Sequence, residues 1–280
     1  MQGLLTSHHH LLLYLTQVAA ACTTLVLIIV IFVPLEHFFA VRQAKLFYKG
    51  WATNLGWYFI NGVAATALLG PPTVLIAWGM HAIVPSAIPD ALQMLPLWLR
   101  MILALVVGEI GFYWGHRWTH EIPLLWRFHA VHHSAEHMHF LVNARAHPLD
   151  MVFTRLCGLP LLYATGLATT VGPHPALVPA FVLLIGSLWS YFIHANVRWR
   201  FGLLEEVLAS PAFHHWHHTY DDHIDRNYAS MVPVMDRLFG TFYLPRAWPE
   251  RYGTATPMPD ALSAQLLEPF ASTAKPAPAN

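Results

Sequence analysis

Charge is scarce in this 280-residue chain: only 11% of its residues are Asp, Glu, Lys or Arg, against about 25% in an ordinary soluble domain. The charge that is present balances, with 15 basic and 15 acidic residues. That excludes the basic footprint of a nucleic-acid binder. Cysteine is nearly absent. Cys22 and Cys157 lie far apart in apolar stretches and read as small buried hydrophobes, because two lone thiols build neither a disulfide framework nor a Cys-based zinc or iron–sulfur site. The chain also lacks a GxGxxG dinucleotide fingerprint and a CxxCH haem attachment. No cleavable signal peptide is expected, since the first apolar run has no basic n-region and is long enough to span a bilayer.

Apolar residues are abundant instead, at 56%, with a mean hydropathy of +0.44. A helix needs about 20 apolar residues to cross a membrane. Residues 11–33, 51–70, 95–115, 151–172 and 176–193 qualify or nearly do, the last two joined by Pro173-His174-Pro175. Residues 71–84 follow the second run directly, and Pro71 and Pro72 must kink or break the helix there because each lacks an N–H. That piece either completes a span or re-enters. The expected fold is all-α, an integral membrane bundle of about 4–5 spans. Its expected divisions are N-terminal membrane helices over 1–95, a catalytic unit over 96–252 and a flexible Pro/Ala-rich tail over 253–280. Arg and Lys concentrate after the first, third and last runs, with Arg100 nearly alone on the other side. The positive-inside rule then puts 116–150 and 195–252 together on the cytoplasmic face. Trp51, Trp57, Trp98, Trp114 and Trp118 read as interface aromatics.

The residue in excess is histidine, with 20 copies. His116 and His120 form HxxxH. His129, His132 and His133 form HxxHH, and His214, His217 and His218 form a second HxxHH with His215 as a spare. Residues three and four apart share a helix face, so each cluster can aim its imidazoles at one point. Both HxxHH motifs fall in segments assigned to one side of the membrane. Eight imidazoles exceed one ion's capacity, and an all-imidazole set suits Zn, Cu, Fe or Ni. Two ions sharing the set is the economical reading.

In this order around two apolar runs, these motifs resemble the fatty acid hydroxylase and sterol desaturase superfamily of membrane di-iron oxygenases. The segment HHSAEHMH (132–139) fits, as does NARAHPLD (143–150), with Asp150 where the family usually has Glu. His194 at the end of the last run and NYASMVPVMDRLFGTFY (227–243) also match. The likeness covers roughly 100–245.

The resemblance implies two Fe ions (Zn also fits such a site in purified protein) with O₂ as co-substrate, in a His-rich cap at the cytoplasmic side. It implies His116, His120, His129, His132, His133, His194, His214, His217 and His218 as ligands. His137 and His147 stand as extra ligands or supports, and Asp150 as a group orienting an imidazole. Glu109, in the third run, either steadies a ligand or is an interfacial carboxylate. Asp221, Asp222 and Asp225 are supports or a solvated loop, and Asp236 with Arg237 an ion pair, a cap or a catalytic part. The implied reaction is hydroxylation or desaturation of a lipid-soluble substrate: sterol, fatty acyl chain, ether lipid or carotenoid. Electrons must come from an external ferredoxin, cytochrome or NAD(P)H-linked reductase, since no redox motif is present. The rival reading is a membrane protein that binds or transports zinc or iron, whose ligands should sit within spans near the midplane.

Overall fold

The structure, a computed structural model, describes residues 2–45, 47–169 and 176–271, without the side chains of 2–11, 13, 65 and 66. Among the described residues it is helical, with a single isolated β-bridge between Thr219 and Tyr252. Ten α-helices follow in order: α1 Gln2–Phe39, α2 Trp51–Ile83, α3 Ala87–Gln93, α4 Leu97–Glu121, α5 Pro123–His133, α6 Pro148–Ala164, α7 Leu177–His194, α8 Pro211–His217, α9 Val234–Leu238 and α10 Leu262–Ala271.

Among the described residues, three helices are long and apolar enough to cross a membrane: Tyr14–Phe39, Leu97–Glu121 and Leu177–His194. Helix α2 adds a fourth if its two parts, bent by 43° between Ala64 and Ala67, count as one span. The bend precedes Pro71 and Pro72 by about one turn. Those prolines cannot bond the carbonyls four residues back, at Ala67 and Leu68, and their rings crowd them. The helix therefore runs through the prolines and bends before them. The run at 151–172 becomes the 17-residue α6, about 25 Å long, so it is shorter than the span expected there. The Pro173-His174-Pro175 joint and residues 272–280 of the tail lie outside the described residues. Residues 262–271 of that tail, expected to be flexible, form α10, whose Gln265 is buried and accepts from the Trp57 indole at 2.8 Å.

Proline sets the helix starts that matter. Pro123 forces Ile122 into an extended conformation, ending α4 and opening α5. Pro148 and Pro211 occupy the first turns of α6 and α8, behind His147 and Ser210 as caps. The Ser210 hydroxyl accepts from Phe213 N at 3.3 Å.

Helices α4 and α6 pack backbone to backbone. A Cβ on Gly111 would lie 2.4 Å from the Cys157 carbonyl oxygen, and one on Gly115 2.9 Å from Cys157 Cβ. Small residues four apart permit this approach. On the outside, α1, α2 and α7 expose Val26, Leu27, Val30, Trp78, Leu183 and Leu184. A helix that is apolar all round yet barely covered by protein suits lipid as its solvent.

At one end of the bundle, polar bonds weld the helices to a cap. The Glu36 carboxylate accepts from Phe140 N and Asn196 N and lies 3.0 Å from His139 Nε2. Asn61 of α2 donates to the Ala144 and Ala146 carbonyls, and the Arg145 guanidinium donates to Asn54 of the same helix. The cap's own core gathers Tyr113, Ile193, Ala209, Phe213, Tyr228 and Ala229.

Candidate metal centre

The end of α4, all of α5, the end of α7 and α8 converge beneath this cap. His116 and His120 lie on the last turns of α4, and His129, His132 and His133 on α5. His194 ends α7, His214 and His217 are on α8, and His218 caps it. All nine are buried. They form two groups, His116, His120, His129, His133 and His217 in one and His132, His194, His214 and His218 in the other. Within each group the ligand nitrogens all lie within 4.8 Å of one another. The groups adjoin: the His133 and His218 ring centroids are 4.5 Å apart, and those of His132 and His133 5.5 Å.

Each HxxHH motif divides between the groups. On α5 the i and i+4 histidines (129, 133) go to the five-membered group and the i+3 residue (132) to the other. On α8 the pattern inverts: 214 and 218 join the four-membered group and 217 the five-membered one.

The hydrogen bonds fix which nitrogens face inward. His116 Nδ1 donates to the Tyr228 carbonyl at 2.6 Å, and His129 Nδ1 lies 3.1 Å from both Asp150 oxygens. Carbonyls and carboxylates only accept, so each proton is on Nδ1 and each Nε2 carries a lone pair. Yet His116 Nε2 and His129 Nε2 are 3.1 Å apart. In the other group His132 Nδ1 donates to Arg145 O at 2.9 Å and His194 Nδ1 to Ser190 O at 2.7 Å. Their Nε2 atoms are again 3.1 Å apart. Facing lone pairs repel unless a proton or a metal cation lies between them.

A proton is the poorer candidate. Burial, reinforced by neighbouring imidazoles, pushes His132 down to about 4 and holds His133, His214 and His218 well below the usual histidine range. Burial likewise holds His217 well below it. Further inward nitrogens crowd in the same way, His214 Nε2 lying 2.9 Å from His194 Nε2 and 3.1 Å from His218 Nε2, and His217 Nε2 is buried without a hydrogen-bond partner among the described residues. A donor set of uncharged, inward-aimed imidazoles fits a pair of transition-metal ions.

The other expected residues fall outside these groups. Asp150 is the group that orients His129. Asp225, rather than Asp221 or Asp222, takes the matching position at His120 Nδ1, 3.0 Å away. Asp221 binds exposed His223. His137 is exposed and flanks the Tyr48 ring. His147 is a helix cap, its Nδ1 accepting from Leu149 N at 3.2 Å and its Nε2 donating to Leu266 O at 3.3 Å. His215, the spare of its motif, is tied at Nε2 to Ala195 O and at Nδ1 to the Tyr252 hydroxyl, both at 3.0 Å.

Glu109 touches no histidine. It accepts from the Ser230 amide and hydroxyl and from Met231 N, pinning the loop after Tyr228. Asp236 supports the same loop by accepting from Tyr228 N and Ala229 N at 2.7 and 2.9 Å, and burial raises its carboxyl to about 6. Arg237 pairs with Glu206 and not with Asp236.

Sequence reading missed the carbonyl partners. The Tyr228 and Arg226 carbonyls bind His116 and His217, and between them Asn227 adopts the left-handed region at φ 57°. Asparagine tolerates that region better than most residues. Its side chain locks the turn by donating to Phe213 O and Tyr243 O and accepting from Tyr243 N. The signal was present in the Asn227-Tyr228 and Asp236 positions, but a backbone carbonyl leaves no mark in composition.

A profile of the fatty acid hydroxylase family matches residues 101–241. The chain belongs to that family. Among curated relatives, this family member is 33% identical over 177 residues to ornithine lipid hydroxylase OlsE of Rhizobium tropici, covering 62% of this chain and 51% of the relative. It is 33% identical over 141 residues to alkylglycerol monooxygenase of Danio rerio, covering 50% and 30%. With methylsterol monooxygenase 2-2 of Arabidopsis thaliana the identity is 27% over 157 residues, covering 52% and 55%. The chain thus spans about half the length of the first relative and less than a third of the second. No solved structure matches.

Proposed function

We propose that this chain is a membrane-bound di-iron oxygenase that uses O₂ and externally supplied electrons to hydroxylate or desaturate a C–H bond of a lipid-soluble substrate. The facing Nε2 lone pairs of His116 with His129 and of His132 with His194, in two adjoining buried groups, carry this reading. The family and the activities named for the relatives, hydroxylation of an ornithine lipid and oxygenation of alkylglycerols and methylsterols, support a lipid substrate.

The nine histidines would hold the two ions, five on one and four on the other. Bound iron would supply the reduction of O₂ and the attack on an unactivated C–H bond. The protein's part is orientation and exclusion. Asp150, Asp225 and the Tyr228, Arg226, Arg145 and Ser190 carbonyls each hold a proton on the outer nitrogen of a ligand, keeping the inner one free. Burial disfavours the protonated forms of His132, His133, His214, His217 and His218 and keeps water away. The cap lies on the cytoplasmic side by the positive-inside rule, where soluble electron donors reach it. The catalytic unit corresponds to 96–252, with the preceding helices as its membrane support.

The test is purification in detergent, metal analysis, and turnover of lipid extracts under ¹⁸O₂. About two irons per chain and labelled alcohol are expected for a hydroxylase. A protein that carries no redox metal and acts without O₂ would overturn the proposal.

A further inference from the structure

Five cations gather on one outer face of the cap. Arg42, Lys45, Arg198, Arg246 and Arg251 are exposed there, with Arg200 half-buried beside them. None has a carboxylate at ion-pair distance among the described residues. The acidic residue exposed on the same segment is Glu250. The arginines are held in place. Arg42 donates to Pro249 O and lies 5.3 Å over the Tyr252 ring. Arg200 donates to Pro245 O and lies 5.8 Å over Trp248, and Arg251 sits 4.0 Å over Tyr220. Arg42 and Arg200 thus clasp the segment 245–252, which carries Arg246 and Arg251 and which Trp216 of α8 fastens through Ala247 O.

That segment leads inward. The Trp248 ring is 5.1 Å from the ring of His215, and the Tyr252 hydroxyl bonds His215 Nδ1. His215 is itself buried and follows His214 directly in the chain, one residue before Trp216 and two before His217. So a half-buried indole beneath Arg200, in a segment flanked by cations without carboxylate partners, makes contact with the one α8 histidine that is tied to the protein and not to the ligand groups. An anionic lipid headgroup would satisfy the arginines but gives no reason for the aromatic contact.

We infer that the face formed by Arg42, Arg198, Arg200, Arg246 and Arg251 docks a small acidic one-electron carrier protein, with Trp248 and His215 as the point of electron entry. The inference rests on the oxygenase reading, which requires electrons that this chain cannot generate. Each encounter oxidises one donor and passes one electron inward. Two encounters supply the pair that, with two protons, lets one oxygen of O₂ enter a C–H bond while the other leaves as water. Charge complementarity accelerates such encounters and makes them salt-dependent.

The experiment uses the full chain in nanodiscs of neutral lipid, with an acidic [2Fe–2S] ferredoxin and an acidic b-type cytochrome as probes. Binding is titrated at low and high salt for wild type and for the exposed double variant R246E/R251E. At least one probe should bind wild type with an affinity that falls steeply with salt. The double variant should bind it about tenfold more weakly at low salt and converge with wild type near 0.5 M, where the Debye length shrinks to about 4 Å. A melting temperature matching wild type shows that the variant is folded. Unchanged affinity in the variant, or salt-insensitive binding of both probes to wild type, overturns the inference. So does a variant that loses only its preference for discs containing anionic lipid. Metal content and ¹⁸O incorporation are measured on the same wild-type preparation. An active iron protein with no salt-sensitive docking refutes this face alone, whereas a protein without redox metal refutes the oxygenase reading beneath it.

Discussion

The two histidine groups share both HxxHH motifs yet are differently supported. In the five-membered group, two outer nitrogens meet carboxylates: His129 at Asp150 and His120 at Asp225. In the four-membered group, the outer nitrogens of His132 and His194 bond backbone carbonyls, and those of His214 and His218 have no hydrogen-bond partner among the described residues. A carboxylate raises the basicity of the imidazole it binds and adds negative charge beside the ion. The first group is thus the more strongly donating and the more negative surround. The second has no carboxylate and one histidine fewer.

That contrast can be broken from either side. The largest effect is expected for His217→Ala, which removes a fully buried ligand of the five-membered group. The protein should still insert but lose an iron and all measurable oxidation, read by metal analysis and product assay; unchanged iron and turnover would sink the ligand assignment. His194→Ala should abolish oxidation too, while retaining the iron of the better supported group, so that about one iron per chain remains. Equal loss of both ions would erase the distinction. Asp150→Asn should weaken metal retention about 10–100-fold against a chelator, because the buried pair with His129 is lost. Asp225→Asn should cost less, about two- to tenfold, since that carboxylate is half-exposed and solvent screens it.

The smallest effect concerns a histidine in neither group. Burial pushes His215 down to about 3 from an ordinary value of 6.5. The unfolded chain therefore takes up a proton there before the folded chain does. His215 leaves stability unchanged above pH 6.5 and subtracts from it as pH falls from 6.5 towards 3, by at most about 1.4 kcal/mol per pH unit. In His215→Gln this part of the acid slope should vanish from thermal melts, with metal retention at neutral pH preserved.

The histidine spacing carried most of the centre, because i, i+3 and i+4 positions on a helix must share a face wherever that helix goes. It did not assign the residues to two groups. That split depends on how α5 and α8 face each other, which no local pattern encodes. Asp150 was legible through its place in the 143–150 element, but Asp225 was one of three aspartates in a polar loop with nothing to separate them. His147 looked like a ligand support because its neighbours form a motif, and proved to be a cap in front of Pro148. Glu109 looked positioned to act because a carboxylate in an apolar run is costly; its partners are amides 121 and 122 residues away. Among the helices, hydropathy located every long one but overstated α6. There a run of apolar residues reflects packing against α2 and, through Gly111 and Gly158, against α4 as well as exposure to lipid.

His132 and His133 are consecutive residues that serve different groups, and so are His217 and His218. The gap between the two ligand sets is therefore calibrated twice, by helices α5 and α8, each acting as a ruler whose graduation is about 1.5 Å of rise and about 100° of turn per residue. Sliding or tilting either helix as a unit carries its members of both sets together. Within each helix that offset changes only by unwinding, which makes it among the least adjustable lengths of the two histidine groups.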